Sequence, residues 1–183
     1  MDSQGDNRYK MKIVIIGDSG AGKSTLAREL SEILQIPTLH LDKIWLGGFS
    51  SEDLVTKQKE FIEDNINDWI IEGNYQGTMN LRIPLADLII WLEVPPYKAL
   101  YRVIYRSIRH RFLHNRVDVP ANFKEKFNKE WFDFLLFVWK SQQKNRERFP
   151  KIIDQYQKTD KLVILRNKKD KKNLLGIFKK NTK

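Results

Sequence analysis

Gly17-Asp18-Ser19-Gly20-Ala21-Gly22-Lys23-Ser24 matches G-x-x-x-x-G-K-[ST] at every fixed position. Each residue type has a chemical reason to be there. Glycines let the backbone turn tightly and aim N–H groups inward at a phosphate. A helix beginning at Gly22-Lys23 adds the positive end of its dipole. Lys23 can neutralise β- and γ-phosphates, and the hydroxyl of Ser24, followed by Thr25, can ligate Mg²⁺. A nucleoside triphosphate, ATP with Mg²⁺, is the ligand this spacing predicts.

Other residues could complete a phosphoryl-transfer site. Asp42 follows a short apolar stretch and could take a proton from an acceptor hydroxyl. Glu72 ends the run Trp69-Ile70-Ile71 and could hold Mg²⁺ through water. Gly73-Asn74-Tyr75 offers a close backbone approach, an amide and a ring for the acceptor, with Arg82 a further cation on that side. Arg102, Arg106 and Arg109 are four and three residues apart and so share a helix face. Arg111 and Arg116 follow them, and Tyr101–Arg116 holds no acidic residue. Phosphoryl transfer needs positive charge on the transferred group, which an arginine-bearing lid supplies. His40, His110 and His114 lack metal-ligand spacing and read as structural, and Trp131 and Trp139 read as core.

These residues need elements to position them. Lys12–Ile16 is an apolar β-branched run, a buried strand. It leads into a helix to about Leu34 with Leu26, Leu30, Ile33 and Leu34 on one face. Thr38–Leu41 is a second strand. Ser50 or Ser51 caps a helix with Glu52 and Asp53 in its first turn and Leu54, Val55, Phe61, Ile62 and Ile66 inward. Trp69–Ile71 is a third strand, Asn80–Ala86 a short helix, and Asp87–Val94 a fourth, central strand. A helix from Tyr97 places Leu100, Ile104, Ile108 and Phe112 on its apolar side. Trp131, Phe134, Leu135, Val138 and Trp139 form the stripe of another, expected to stop before Pro150. A shorter helix holds Ile152, Ile153 and Tyr156. Lys161–Leu165 is a fifth strand, and a basic helix with Leu174, Leu175 and Phe178 ends the chain. Strands alternating with helices predict an α/β protein, a parallel sheet covered on both faces. Ligands in such sheets bind at the carboxyl ends of the strands, which selects the loops just named.

The 183 residues fit one domain, 11–183, with a disordered tail at 1–10 and a lid at about 105–130. There is no cysteine, hence no disulfide framework or thiolate zinc site. No apolar run approaches the ~20 residues of a membrane span, and no signal-like segment opens the chain. The expectation is a cytoplasmic protein without a membrane partner. The net charge of +10 is concentrated in the 101–116 arginines and in the lysines after Arg166. It suits a polyanionic small molecule or nucleic acid. A kinase for a small-molecule acceptor is the leading reading. The alternatives are a nucleotide-binding regulator touching DNA or RNA through its basic segments, and an NTPase switch. Monomer and homodimer are both open.

In family order, Gly17–Ala27 (G-x-S-G-A-G-K-S-T-L-A), His40–Trp45 (H-L-D-K-I-W), Trp69–Tyr75 (W-I-I-E-G-N-Y), Arg82–Pro95 and Leu100–Arg106 resemble the bacterial DNA topology modulation proteins. These are P-loop kinases of the adenylate-kinase-like superfamily, and the resemblance runs from about Lys12 to Leu175. It implies a three-layer sandwich with five parallel strands in the order 2-3-1-4-5, an acceptor region and a helical lid. It implies that a lid arginine and the loop after strand five, Arg166-Asn167-Lys168, grip the ATP base. Nucleotide kinases of this kind hold an acceptor monophosphate with Gly-Phe-Pro-Arg after strand three. Gly73-Asn74-Tyr75-Gln76 stands there instead, without the arginine, which Arg82 could replace. An Asp after strand two is similar to that of small-molecule and nucleoside kinases, where it meets an acceptor hydroxyl.

Overall fold

The computed structural model describes residues 10–113 and 129–181. Apart from Lys10, the expected tail lies outside these residues. So do residues 114–128 of the expected lid, with His114 and Arg116, and the side chains of His110 and Arg111.

Five strands form one parallel sheet: β1 (Lys12–Gly17), β2 (Thr38–His40), β3 (Trp69–Glu72), β4 (Leu88–Leu92) and β5 (Leu162–Leu165), in the order β2-β3-β1-β4-β5. Strand β1 is central, so its run of apolar residues is buried on both faces. Alternation splits it between two cores. Ile13 and Ile15 join Ile70, Ile90 and Leu92 under α1 (Lys23–Leu34), α5 (Pro96–Leu113) and α7 (Lys168–Asn181). Val14 and Ile16 join Trp69, Ile71, Ile89 and Trp91 on the other face. That face is covered by α2 (Leu41–Leu46), α3 (Ser51–Asp64), α4 (Met79–Arg82) and the second half of α6 (Lys129–Gln155). The result is the three-layer α/β sandwich with the expected strand order.

Register brings the chemistry into one row. Glu72 stands between His40 on one side and Ile15 on the other, and Gly17 stands beside Leu92. All lie at the carboxyl ends of their strands.

Four local expectations are corrected. On α5 the buried residues are Ala99, Val103 and Ser107, whereas Leu100 and Ile104 are half-buried and Ile108 is exposed. The helix turns its small residues inward because it crosses the phosphate loop at close range: a Cβ on Gly20 would sit 2.4 Å from the Ala99 carbonyl oxygen. Second, α6 does not stop before Pro150 but runs through it to Gln155. An interior proline costs roughly 3 kcal/mol. Burying Phe149 and Ile153 on its two sides recovers about 1.5–3 kcal/mol each. Third, Trp139 faces solvent and Trp131 is only partly buried, while Val138 of the expected stripe is buried. Fourth, Ile66 lies beyond the end of α3 and is exposed. The α3 start is as expected: Ser50 and Asp53 form a reciprocal capping box.

Candidate active site

The phosphate loop leaves β1 at Gly17 and enters α1 at Lys23. Gly20 and Gly22 adopt φ of +80° and +99°, which side-chain-bearing residues rarely take. Gly22 is the N-cap of α1; no side chain caps this helix, and its first turn holds no acidic residue. The N–H groups at that end, with the positive helix dipole, remain available to an anion. Lys23 is almost buried and its Nζ donates to the Asp18 carbonyl at 3.4 Å. The lysine lies folded along the loop.

Beneath the loop sits a buried carboxylate. Glu72 is fully buried at the end of β3. Its Oε1 accepts from Ser24 Oγ at 3.0 Å and contacts His40 Nδ1 at 2.8 Å. A carboxylate only accepts, so Nδ1 carries the proton. The other oxygen, Oε2, is buried with no hydrogen-bond partner. Because Ser24 gives its proton to Glu72, its lone pairs stay free. Orphaned Oε2 and these lone pairs fit a hydrated divalent cation such as Mg²⁺, bound together with phosphates. Among the described residues no three His, Cys, Asp or Glu side chains are grouped to hold a metal by themselves.

Asp42 lies in the first turn of α2, two residues past β2. Tyr75 hydrogen-bonds it, and burial, then the charges of Asp42 and Glu72, raise the Tyr75 hydroxyl pKa above its ordinary 10.0. Tyr75 therefore stays protonated and orients the Asp42 carboxylate. Its ring packs on Trp45 of α2, centroids 5.9 Å apart. Asn74 is tied back to the start of the phosphate loop, its Oδ1 accepting from the Gly17 N–H at 3.0 Å.

The arginines divide by role. Arg102 Nη1 donates to the Gly20 and Ala21 carbonyls at 3.4 and 3.2 Å, bracing the phosphate loop from α5. Arg106 is half-buried and Arg109 exposed farther along that helix. Arg82 is fully buried, so it sits beneath the Gly73–Tyr75 loop and not on its open side. Its Nη2 donates to the carbonyls of Gly73, Asn74 and Tyr75, and its Nη1 to Gln58 and Thr78. Burial draws its pKa down to about 9, which still leaves it charged at neutral pH. Arg82 thus shapes the loop that Gly73–Tyr75 forms. Past β5, Arg166 Nε donates to Glu93 Oε2 at 2.8 Å, and Arg146 of α6 takes Oε1 at 2.7 Å. With Trp91 and Pro95 these residues line a cleft of about 470 Å³. Lys168 is exposed at the start of α7.

Sequence reasoning missed two sets of residues. His40 reads from the chain as a structural or surface residue, yet its ring holds Glu72. Ser141, Gln142 and Asn145 of α6 were not singled out. All three are buried, with Ser141 and Asn145 on the Asp18 side chain and Gln142 on the Val94 carbonyl. The signal was present: they continue the inward spacing of Val138 toward Phe149, where apolar residues are expected.

Strand order, phosphate loop and flanking helices together define the P-loop kinase fold. A similar solved structure is the shikimate kinase from Acinetobacter baumannii in complex with shikimate. It has a TM-score of 0.53 and 16% sequence identity, covering 93% of this chain and 91% of that one. No protein-family model and no curated protein matches the sequence.

Proposed function

We propose that this protein is a phosphotransferase that moves the γ-phosphoryl group of ATP, with Mg²⁺, to a small nucleotide, nucleoside or related metabolite bearing a hydroxyl. One observation carries the proposal. The Ser24–Glu72–His40 cluster lies at the root of an uncapped phosphate loop, and the Asp42–Tyr75 pair lies on the same rim. Bound ATP and Mg²⁺ supply the transferable group and a counter-charge. The chain's residues do the rest. Backbone N–H groups of the loop and α1 hold phosphates, and Lys23 swings from the Asp18 carbonyl onto them. Ser24 and Glu72 would hold the cation. Asp42, oriented by Tyr75, accepts the acceptor's proton. Arg106 and Arg109 bring positive charge to the transferred group, while Arg102 keeps the loop in shape. Arg166 and Lys168, just past β5, would grip the donor base, as the resemblance implies. The Gly73–Gln76 loop carries no cation of its own and Arg82 is occupied beneath it, which favours a hydroxyl over a monophosphate as the recognised group. The likeness to the DNA topology modulation proteins rests on these same motifs.

The experiment is ATP consumption screened against nucleosides, nucleoside monophosphates and sugar-like metabolites, with Lys23→Ala as control. We expect at least one acceptor to stimulate turnover. Lys23→Ala should lose roughly 10²-fold or more while keeping its thermal midpoint, because it removes a charge used chiefly in the transition state. Full activity in that variant would overturn the mechanism.

A further inference from the structure

Asp18 is 2% exposed, and a carboxylate that buried needs partners. They come from α6. Asn145 Nδ2 donates to Asp18 Oδ1 at 2.7 Å and Ser141 Oγ to the same oxygen at 3.3 Å. Asn145 has a second neighbour. Its Oδ1 accepts from Gln76 Nε2, at a longer 3.5 Å, in the turn that continues the acceptor loop. Gln76 Oε1 accepts in turn from Arg148 at 3.2 Å. One buried amide therefore touches the donor loop after β1 with its nitrogen and the acceptor side after β3 with its oxygen. Packing alone would not call for this: apolar residues at both 18 and 145 would dock α6 without desolvating polar groups. A buried hydrogen-bonded amide does what an apolar residue cannot, which is to fix relative position.

We propose that Asn145 is a positioning residue that couples the two half-sites, so that phosphate binding at the donor loop orders the acceptor turn at 76–82. This rests on the donor-site reading above. Asn74 already ties residues 73–74 to Gly17 directly. The informative segment is therefore the turn beyond it.

The test is hydrogen–deuterium exchange of the full chain with and without a non-hydrolysable ATP analogue and Mg²⁺, alongside calorimetric affinities. In the native protein the analogue should protect residues 17–27 and 76–82. In Asn145→Ala it should bind roughly tenfold more weakly or worse, the cost of a hydrogen bond to a charged group, and should no longer protect 76–82 at saturation. Asn145→Asp sets two carboxylates face to face and should do at least as badly. The exchange D18N/N145D reverses donor and acceptor while leaving Gln76 an oxygen to donate to, and should restore both readouts. Gln76 is exposed, so Gln76→Ala cuts only the acceptor arm without threatening the fold. It should bind the analogue normally and lose protection at 78–82. Analogue binding without protection of 76–82 in the native protein, or undiminished protection in Gln76→Ala, would overturn the coupling alone. No binding of the analogue to the native protein would overturn the donor-site reading and the coupling with it.

Discussion

His40 shows what a single side chain contributes that its own neighbourhood in the sequence does not disclose. With Ser24 it fills Oε1 of Glu72, leaving Oε2 as the oxygen without a partner. Groups that orient a cation-binding carboxylate typically matter by 10- to 100-fold in metal affinity. His40→Leu should therefore raise the Mg²⁺ concentration needed for analogue binding by at least roughly tenfold. His40→Asn, whose amide N–H stands near the position of Nδ1, should recover most of it. Equal Mg²⁺ requirements in native protein and His40→Leu, by calorimetric titration, would exclude this role. Lys23 and Ser24 could be read from the chain because their partners are consecutive and the loop's geometry is local. His40 could not, because Glu72 is 32 residues away and they become neighbours only through the β2–β3 register. Arg82 was visible as a cation near the acceptor segment, but only the fold shows it turned beneath the loop onto carbonyls.

Among the elements, those whose side-chain pattern follows burial were legible, and those whose pattern follows close approach were not. Apolar runs placed β1, β3, β4 and β5, since a parallel sheet covered on both faces needs unbroken apolar residues, whereas β2 is a half-buried Thr-Leu-His at the edge of the sheet. On α5 the largest apolar residues were the wrong guide, because contact with the phosphate loop selects Ala99 and Val103 for their size, and Ser107 accepts from Trp131 of α6. On α6 the proline outweighed the stripe in sequence, whereas in the structure Phe149 and Ile153 outweigh the proline. The start of α3 is local again, and it carries a pH-dependent prediction. Backbone and side-chain hydrogen bonds from Ser50 hold the Asp53 carboxyl below its ordinary 3.8. An acid whose pKa is depressed by folding stabilises the fold above its unfolded value and loses that contribution as pH falls through its folded value. Asp53→Asn should lower the thermal midpoint at pH 7, and the difference from the native protein should shrink as the pH falls below the ordinary carboxyl value of 3.8 and through the lower folded one. A difference that persists undiminished in acid would mean that the charge is not what the cap uses.

For the molecule as a whole, the remaining question is what its charge of +10 serves. Along α7, Lys168, Lys169, Lys172, Lys179 and Lys180 are exposed, while Lys171 is committed to Glu29 of α1 at 2.9 Å. Such a surface attracts any polyanion, and attraction alone does not make a nucleic-acid reader. No element among the described residues presents a recognition helix of the helix-turn-helix kind or a ribbon shaped to a groove; α7 is packed on α1 and β5 as part of the sandwich. Counterion release then sets the expectation. Each lysine that reaches a phosphate adds about 0.9 to the slope of log affinity against log salt. Binding to duplex DNA should be measurable at low salt and fall to about 10⁻⁶ M or weaker near physiological salt. Replacing Lys169, Lys172 and Lys179 by alanine should flatten the slope without altering analogue binding at Ser24 and Glu72. Addition of the ATP analogue should leave the DNA affinity unchanged, because the Lys171–Glu29 pair joins α7 to the second turn of α1 and not to the phosphate loop itself. Tight binding at physiological salt that the analogue strengthens or abolishes would instead make nucleic acid a partner of the phosphate loop, and the kinase reading would have to give way to that of a nucleotide-controlled regulator.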